Sequence, residues 1–597
     1  MRLTRRLLSV VALFGLIIVL IRYRQSVEAT IEEAIGDGHS EILPPGEDAN
    51  SPKNRQLPLV ILPFVKTEEE KKAAIAAAVE EKADTADNAA SGSKSNSFTF
   101  TDSDGKKVDA QPFTPPPDGG KKDGNAVTDT GVDEITDVGT FWAKWSRDIY
   151  ATRPTIPKIS LSGHAQTQRP REGQTTREPH HDHVRNSEDD IDALRRLHEE
   201  FVEQLEKELG NSSSRGQSER QWNGSNIFKG KGIVIVGGGE YFGPAITSIQ
   251  MLRRTGNGLP VEVFVPDDDE YEKAVCEDYL KKLDAKCVVL SHILNKSTVK
   301  VSQKDDADLK VTHYQLKSLS VLLSSFEDVL LLDSDSIPLL DPLTNIFWTE
   351  PYRSKGMIIW PDFWRATESP MFWTVAGKSS FPTGLPVTSS ETGQMVINKT
   401  THLAPLLLAT YYNIFGPDYY YPLLSQGALG QGDKETFFAA ALALNSSYYR
   451  VQTPAGLLGR HDGRTEKGTA LVQHLPLDDM EYTSAASIRP AFVHSNTPKM
   501  NAGHLIDEGD LLAADGVTRL RLLGSKQESL NRFGFDVERA IWDLMVQTGC
   551  ELQDVLREWK GRKGMCEKLE EHYKLVFGIR EAGGISGSPA TGEDKSH

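Results

Sequence analysis

At 597 residues the chain is long enough for a large buried core and for further segments, with room for roughly two to four domains. Its formal charge of −17 argues against nucleic acid as a partner, because there is no basic stripe to neutralise phosphates. A hydrophobic content of 38% is too low for a protein with many membrane spans.

The N-terminus carries an uncharged apolar run, LLSVVALFGLIIVLI at residues 7–21, which has arginines on both sides. We interpret residues 1–24 as a cytosolic tail and an uncleaved transmembrane signal anchor, because the arginines after the run do not suit a cleavage region. A cleaved signal peptide is the alternative. Either interpretation places the rest of the chain in the secretory lumen, and N-glycosylation sequons such as Asn295-Lys-Ser agree with it.

Composition divides the remaining chain into folded and unfolded parts. Residues 25–137 are polar and rich in proline and glycine, and they predict a disordered luminal stalk because they cannot bury enough apolar surface. Residues 138–578 form the predicted folded domain, with a polar insert at about 160–187 that we interpret as a solvated linker. Residues 579–597 are predicted to be a disordered tail.

Two helices are predicted on either side of the polar insert. FWAKWSRDIYATRP precedes it and has aromatic and apolar residues at helical spacing. IDALRRLHEEFVEQLEKEL follows it and places an apolar face, including Leu194, Leu197 and Phe201, along one side of a helix.

Four cysteines are present, Cys276, Cys287, Cys550 and Cys566, and no two of them form a C-x-x-C motif. Zinc binding and thioredoxin-like chemistry are therefore disfavoured. In an oxidising lumen, disulfides 276–287 and 550–566 are the simplest of the three pairings that four cysteines allow. Four free buried thiols are the alternative.

From residue 231 onward, short β-branched runs alternate with helical stretches. The predicted strands are GIVIVGGG, VEVFVP, CVVLS, DVLLLDSD, GMIIWPDFW, GQMVINK and PAFVHS. Because each strand is nearly all apolar, the pattern predicts an α/β fold whose mostly parallel sheet is covered on both faces.

Asp333 and Asp335 directly follow the apolar run VLLL. Open α/β sheets bind ligands beyond the carboxyl ends of their strands, so these side chains are predicted to face a ligand. No lysine or arginine neighbours them in sequence, and we expect the two carboxylates to hold a cation, for which Mg²⁺ or Mn²⁺ suits oxygen ligands. An aspartate-capped turn is the alternative, because DSDSIP is also typical of turns.

The glycines Gly237, Gly238 and Gly239 allow the backbone to approach a nucleotide or a phosphate closely. The run lacks the spacing of a dinucleotide-binding motif, which disfavours a Rossmann dehydrogenase. Such a turn is structural as often as it is functional.

Three later segments carry further candidates. Glu391 and Gln394 stand just before a predicted strand, and Asp433 follows flexible glycines where its side chain can face a cleft. We interpret the neighbouring Glu435 as a helix cap. His494 ends a strand and Lys499 follows five residues later, a pair suited to a third metal ligand and a phosphate contact.

The segments GIVIVGGGEYF, YQLKSLSVLLSSFEDVLLLDSDSIPL, ETGQMVINK, GQGDKETF and FVHSNTPKMN, in that order, resemble the fungal Golgi α-mannosyltransferases that branch mannan outer chains, glycosyltransferase family seventy-one. The resemblance covers residues 141–566 apart from the polar insert. It implies a GT-A-like nucleotide-sugar-binding fold, GDP-mannose as the donor, Mn²⁺ as the cofactor, and an α-mannoside of mannan or an N-glycan as the acceptor. It also implies a type II Golgi membrane protein with a luminal catalytic domain, and a Golgi mannosyltransferase complex as a partner.

Residue by residue, the resemblance implies that Asp333 and Asp335 form the metal site with His494 as a third ligand. It implies that Lys317 touches the donor, with an exposed helix lysine as the alternative. In a retaining reaction without a covalent nucleophile, four residues are implied on the acceptor side: Asp362, Glu391, Gln394 and Asp433.

Two other functions stay open at this point. The first is a luminal transferase that uses another nucleotide sugar, such as UDP-galactose or GDP-fucose. The second is a catalytically silent luminal subunit that binds mannan or scaffolds an active partner.

Overall fold

The structure, a computed structural model, describes residues 135–210 and 227–580 except 305, 483, 485, 486 and 508. It also describes the backbone of two short antiparallel strands, Phe100–Thr101 and Lys107–Val108. The predicted anchor, the rest of the predicted stalk and the tail from residue 581 lie outside the described residues. Among the helices that are described, none is both long enough and apolar enough to cross a bilayer.

The α-helices are, in chain order, α1 Val138–Ala151, α2 Glu188–Leu209, α3 Phe242–Arg254, α4 Leu290–Leu294, α5 Gln315–Leu323, α6 Tyr352–Lys355, α7 Pro370–Val375, α8 Lys399–Ile414, α9 Tyr421–Ser425, α10 Thr436–Ala443, α11 Pro476–Glu481, α12 Ala502–Asp507, α13 Lys526–Phe533, α14 Val537–Leu552 and α15 Met565–Phe577. The strands of the two larger sheets are β1 Lys231–Val236, β2 Val261–Val265, β3 Ala285–Val289, β4 Asp328–Leu332, β5 Ser336–Pro338, β6 Met357–Arg365, β7 Thr388–Asn398, β8 Tyr449–Arg450, β9 Gly456–His461, β10 Glu466–His474 and β11 Pro490–His494. A further small sheet pairs Val301–Ser302 with Leu309–Lys310.

Seven strands form the central sheet in the order β8-β6-β7-β4-β1-β2-β3. The pairs β4–β1, β1–β2, β2–β3 and β6–β8 are parallel, whereas β7 runs antiparallel to both of its neighbours. The prediction of an α/β fold with a mostly parallel central sheet is therefore confirmed.

The centre of the sheet is buried on both faces, as its apolar strands predict. Along β4, Val329 and Leu331 pack into one apolar cluster while Leu330 and Leu332 pack into the cluster on the other face. Successive side chains of a strand point to opposite faces, so a run of consecutive leucines fills both cores. This burial fixes where β4 ends and where the polar residues after it emerge.

A second sheet was not anticipated from the sequence. Its four strands pair antiparallel in the order β9-β10-β11-β5. PAFVHS forms β11 and belongs to this sheet, so its assignment to the parallel series is wrong. The three residues between β4 and β5 carry the chain from the central sheet to the second sheet, and both aspartates of the D-x-D motif lie in that crossing.

Residues 160–187, the polar insert, pack on the folded domain and do not form a solvated linker. We call this segment the strap. Leu161 and Val184, near its two ends, pair with each other, and its own Ala165 is buried. The amide of His183 donates to Oε1 of Gln426 (2.7 Å), and the Ser369 hydroxyl donates to Oδ1 of Asp182 (2.8 Å). Polar groups of the strap are thus hydrogen-bonded to the folded domain and not to solvent at these points.

Both predicted disulfides are present. Cys276–Cys287 joins the segment before β3 to β3 itself, and Cys550–Cys566 joins α14 to α15. No free cysteine remains in the described chain, which excludes the alternative of four thiols.

Candidate active site

The structure places Asp335 and His494 side by side through strand pairing. In the second sheet His494 of β11 is the register partner of Ser336 of β5, the residue that follows Asp335. The His494 Nε2 atom lies 3.2 Å from Oδ1 of Asp335 and 3.9 Å from Oδ2 of Asp333. One ligand atom from each of these three side chains lies within 4.8 Å of the others, so the predicted metal ligands form one group.

Glu391 orients the imidazole of His494. Its Oε2 lies 2.9 Å from Nδ1 of His494, while its Oε1 accepts the amide hydrogen of Gly393 (2.7 Å). Gly393 leaves room for the ring, because a Cβ there would lie 2.5 Å from Nδ1 of His494. A carboxylate that holds one imidazole nitrogen and turns the other towards the ligand group is the usual support of a metal-binding histidine.

Lysines from distant segments pair with both aspartates, contrary to the expectation that no cationic side chain neutralises them. The Lys317 Nζ atom lies 2.8 Å from Asp333 and 3.4 Å from Oδ2 of Asp433. The Lys499 Nζ atom donates to Oδ2 of Asp335. The carboxylates therefore do not require a cation between them for neutralisation, and the argument for a metal rests on the donor set and its orientation.

Burial and charge act in opposite directions on the pKa values of this cluster. Burial raises the pKa of Asp333, and Lys317 opposes that rise. Burial also acts to raise the pKa of Asp335, but His494 and Lys499 outweigh it and hold the pKa below its ordinary value. For Glu391, His494 outweighs burial and lowers the pKa to about 2.

Burial and charge also oppose each other on the basic partners, and a metal bound at Nε2 of His494 would displace the proton there. Burial acts to lower the pKa of His494, but Glu391 and Asp335 outweigh it and raise the pKa well above its ordinary value. The same balance raises the pKa of Lys317, through Asp333 and Asp433, and of Lys499, through Asp335. The cluster thus holds carboxylates and cations at close range, with Asp335 and His494 buried and Lys499 partly exposed.

Asp433 joins this cluster from the loop before α10. Its Oδ2 accepts the hydroxyl of Thr392 (2.9 Å), which lies beside Lys317 (3.4 Å from Nζ to the hydroxyl oxygen). Asp433 is 3% exposed, and the structure brings its carboxylate beside Lys317 and Thr392. Thr392 was not singled out from the sequence, since a lone threonine in a strand gives no signal.

Asp362 lies further along the same edge of the central sheet. Its Oδ2 accepts hydrogen bonds from Lys434 Nζ (2.7 Å) and from the Ser389 hydroxyl (2.9 Å). Lys434 is the next residue after Asp433, and Ser389 precedes Glu391 by two residues on β7. The predicted acceptor-side residues Asp362, Glu391 and Asp433 therefore lie along one continuous row.

Gln394 does not join that row. It is fully buried, and its Oε1 accepts the hydroxyl of Ser336 (3.3 Å) at the junction of the two sheets. Its Nε2 has no hydrogen-bond partner within the described residues. Gln394 therefore supports the crossing from β4 to β5.

The glycine turn lies at the end of β1, beside β4, and so at the same edge as Asp333. Gly238 and Gly239 have φ values of 102° and 49°, where other residues are strained. The following Tyr241 lies under the Lys499 ammonium, 5.7 Å from ring centroid to Nζ. The turn and Lys499 are thereby brought to one side of the aspartates.

Beneath the row lies a buried ionic group that sequence reasoning missed. Nη1 of Arg177, in the strap, donates to Oε1 of Glu368 (2.7 Å), and both side chains are 4% exposed. Glu435 lies close by, with its Oε1 accepting the amide of Ser390 (2.5 Å). Burial raises the pKa of Glu435 and Arg177 opposes that rise. Glu435 stands at the N-cap position of α10, but its side chain makes no capping hydrogen bond, so its interpretation as a helix cap is wrong.

Comparison with known proteins places these residues in a family context. Residues 230–386 and 378–487 match the family model for mannosyltransferases. Candida albicans α-1,2-mannosyltransferase MNN21 is 32% identical over 455 residues, which cover 65% of this chain and 66% of the relative. Saccharomyces cerevisiae α-1,2-mannosyltransferase MNN2 is 38% identical over 321 residues, 48% of this chain and 50% of the relative.

The chain thus spans about half to two thirds of the length of these two relatives. The crystal structure of the glycosyltransferase GlyE of Streptococcus pneumoniae has a TM-score of 0.23 and 15% identity, with 38% of this chain and 45% of that chain covered. That structural likeness is too partial to support an argument. The residues that the family model matches include the crossing with Asp333 and Asp335, in the first range, and the Asp433 loop, in the second. The chain therefore belongs to this mannosyltransferase family, together with the fungal α-1,2-mannosyltransferases.

Proposed function

We propose that the chain transfers mannose from GDP-mannose to an α-mannoside acceptor in mannan or an N-glycan outer chain, with retention of configuration and with Mn²⁺ as cofactor. The observation that carries the proposal is the group of Asp333, Asp335 and His494 at the ligand-binding edge of the sheet. The names of the relatives support an α-1,2 linkage in the product.

The residues present fit the implied metal. Two carboxylates and an imidazole offer oxygen and nitrogen ligands together, a set that suits a divalent transition ion better than Mg²⁺ or Ca²⁺. Glu391 supplies the orientation of His494 that such a ligand needs. When bound, the ion would neutralise the charge on the diphosphate leaving group.

The other residues of the site lie on two sides of the group formed by Asp333, Asp335 and His494. Lys499, Tyr241 and the glycine turn lie on the side that we assign to the GDP diphosphate. Asp433 and Thr392 lie on the other side, where they can orient the acceptor hydroxyl and stabilise positive charge on the departing sugar. Lys317 joins the two sides, since its ammonium contacts Asp333 and Asp433 together.

No protein nucleophile is assigned. Attack by the acceptor from the face that the diphosphate leaves retains the α configuration and needs only positioning and charge stabilisation. We further propose a GT-A-like fold, and a type II Golgi membrane protein with this domain in the lumen and a mannosyltransferase complex as partner. The apolar run at residues 7–21 and the two disulfides support the luminal placement.

The test is transfer by the purified full-length chain. It is incubated with GDP-mannose and an α-1,6-linked mannan oligosaccharide, with Mn²⁺ or with EDTA, and products are analysed by mass and linkage. We expect a metal-dependent gain of one hexose in α-1,2 linkage, which Asp333→Ala abolishes. Asp306→Asn serves as the control, because Asp306 forms an exposed ion pair with Lys300. Transfer that persists in EDTA and in Asp333→Ala would overturn the metal assignment.

A further inference from the structure

The strap brings an exposed arginine to the aromatic end of β6. The amide of Arg365 donates to the carbonyl of Gln168 (2.8 Å), so strap and strand run together at this point. The guanidinium of Arg169 lies 4.4 Å from the centroid of the Phe363 ring. The contact fixes the cation over an aromatic face, where the two attract each other.

An irregularity in β6 brings a second aromatic ring, that of Trp364, beside the ring of Phe363. The register between β6 and β7 shifts between Pro361 and Arg365, as it does at a β-bulge. Successive residues of a regular strand point to opposite faces, yet the rings of Phe363 and Trp364 lie 5.0 Å apart at an interplanar angle of 77°. Both side chains remain partly exposed.

This aromatic pair continues the row of acceptor-side residues. Phe363 follows Asp362 directly, and its amide donates to Oδ1 of Asp362 (2.6 Å). The strap also contacts the loop that leads to Asp433, since the amide of Leu429 donates to Oγ1 of Thr167 (3.1 Å). Along the edge, the group of Asp333, Asp335 and His494 therefore comes first. Asp433 follows, then the Asp362–Lys434 pair, and then the aromatic pair.

We propose that Arg169, Phe363 and Trp364 form a subsite for a second mannose of the acceptor, one sugar away from the mannose that reacts. The inference rests on the proposed function and names where that acceptor extends. A mannose ring has an apolar face of C–H groups that suits an aromatic ring, and hydroxyls that suit a guanidinium and a carboxylate. Two rings and one cation are too small a patch for a stable protein interface.

The experiment compares a short acceptor with a long one on the full-length chain. Wild type, Arg169→Ala and Trp364→Leu are assayed with methyl α-mannoside and with α-1,6-linked mannotriose, at varied GDP-mannose. Arg171→Ala is the matched control, because Arg171 is an exposed residue of the same strap. Circular dichroism and thermal melting check that each variant folds.

We expect the KM for mannotriose to rise about ten-fold in Arg169→Ala and Trp364→Leu, a loss typical of one ligand contact. The KM for methyl α-mannoside, the KM for GDP-mannose and the kcat stay at wild-type values, and Arg171→Ala behaves as wild type. A rise of equal size for both acceptors, or none beyond that of Arg171→Ala, would overturn the subsite.

Saturation-transfer NMR with mannotriose alone separates this inference from the proposed function. If wild type transfers no mannose but binds mannotriose, and Arg169→Ala loses that binding, the subsite stands and the proposed reaction fails. If wild type transfers mannose and Arg169→Ala binds mannotriose as wild type does, the reaction stands and the subsite fails.

Discussion

The Nδ1 atom of His494 lies 2.9 Å from Oε2 of Glu391, and this contact turns the opposite ring nitrogen towards Asp335. The two residues lie 103 positions apart, on strands of different sheets. The orientation of the third predicted metal ligand therefore depends on the way the two sheets meet.

Glu391→Gln removes the charge and keeps the shape of the side chain. We expect the affinity for Mn²⁺ to fall about ten- to a hundred-fold, because the imidazole loses the partner that fixes its orientation. Titration of free Mn²⁺ by electron paramagnetic resonance measures this directly, without a turnover assay. Ser390→Ala, on the same strand, is the control and should bind Mn²⁺ as wild type does. Unchanged affinity in Glu391→Gln would show that His494 is not a ligand held by Glu391.

Lys317→Met should destabilise the fold as well as abolish transfer. The substitution leaves Asp333 and Asp433 without their shared ammonium, and breaking a buried ion pair by removing one partner costs about 3 kcal/mol. Urea unfolding measures the loss. Lys300→Met breaks the exposed pair with Asp306 and should cost less than about 1 kcal/mol.

The double variant Lys317→Met/Asp433→Asn separates the two effects. Removing one of the stranded charges should recover part of the stability while transfer stays absent. If the double variant is no more stable than Lys317→Met alone, the lysine does not act through Asp433.

The sequence predicts features of the fold that depend on residues close together in the chain, such as the apolar run that forms β4. The leucines of β4 are apolar on both faces, so both the strand and the polar edge after it follow from the sequence. His494 was placed correctly at a strand end, but its strand was assigned to the wrong sheet. β11 pairs with β10 and with the three-residue β5, and strand pairing across such separations leaves no local signal.

Side-chain pairing over long separations explains most of what was missed. Lys499 contacts Asp335 although the two residues lie 164 positions apart. The local sequence around the aspartates therefore could not show that a lysine neutralises them. In α2 the predicted apolar face contains Leu197, yet the structure buries His198 and leaves Leu197 partly exposed. His198 is buried because the hydroxyl of Tyr412, on α8, meets its Nε2 at 2.7 Å.

Arg177→Met tests whether the strap is a fixed part of the domain. Arg177 also donates to the carbonyls of Pro386 (2.5 Å) and Thr388 (3.0 Å), and its loss leaves Glu368 buried without its partner. We expect the free energy of unfolding to fall by about 3 kcal/mol, and limited proteolysis to cut first within residues 160–187. Arg195→Met, which breaks a more exposed pair with Glu199, should change neither measurement appreciably. Wild-type resistance of the strap in Arg177→Met would contradict the anchoring role.

The buried histidines should make the stability of the domain fall as the pH is lowered below about 6.5, the ordinary pKa of histidine, while buried Glu538, whose pKa burial raises to about 7, acts in the opposite direction. Burial lowers the pKa of His198 to about 4, and it has the same effect on His474 and His572. Between these values the unfolded chain takes up a proton on each histidine and the folded chain does not, so protonation favours unfolding. For fully buried His198 the loss reaches roughly 3 kcal/mol near pH 4.

Urea unfolding at pH 7, 6, 5 and 4.5, a series set by the titration range of histidine, measures this dependence. His198→Gln should show a shallower fall than wild type, because one of the proton uptakes on unfolding is removed. His181→Gln is the control, since His181 is exposed in the strap and should leave the slope unchanged. Comparing slopes keeps the test independent of any stability lost with the Tyr412 contact. A slope in His198→Gln equal to that of wild type would mean that His198 already carries its proton in the folded chain.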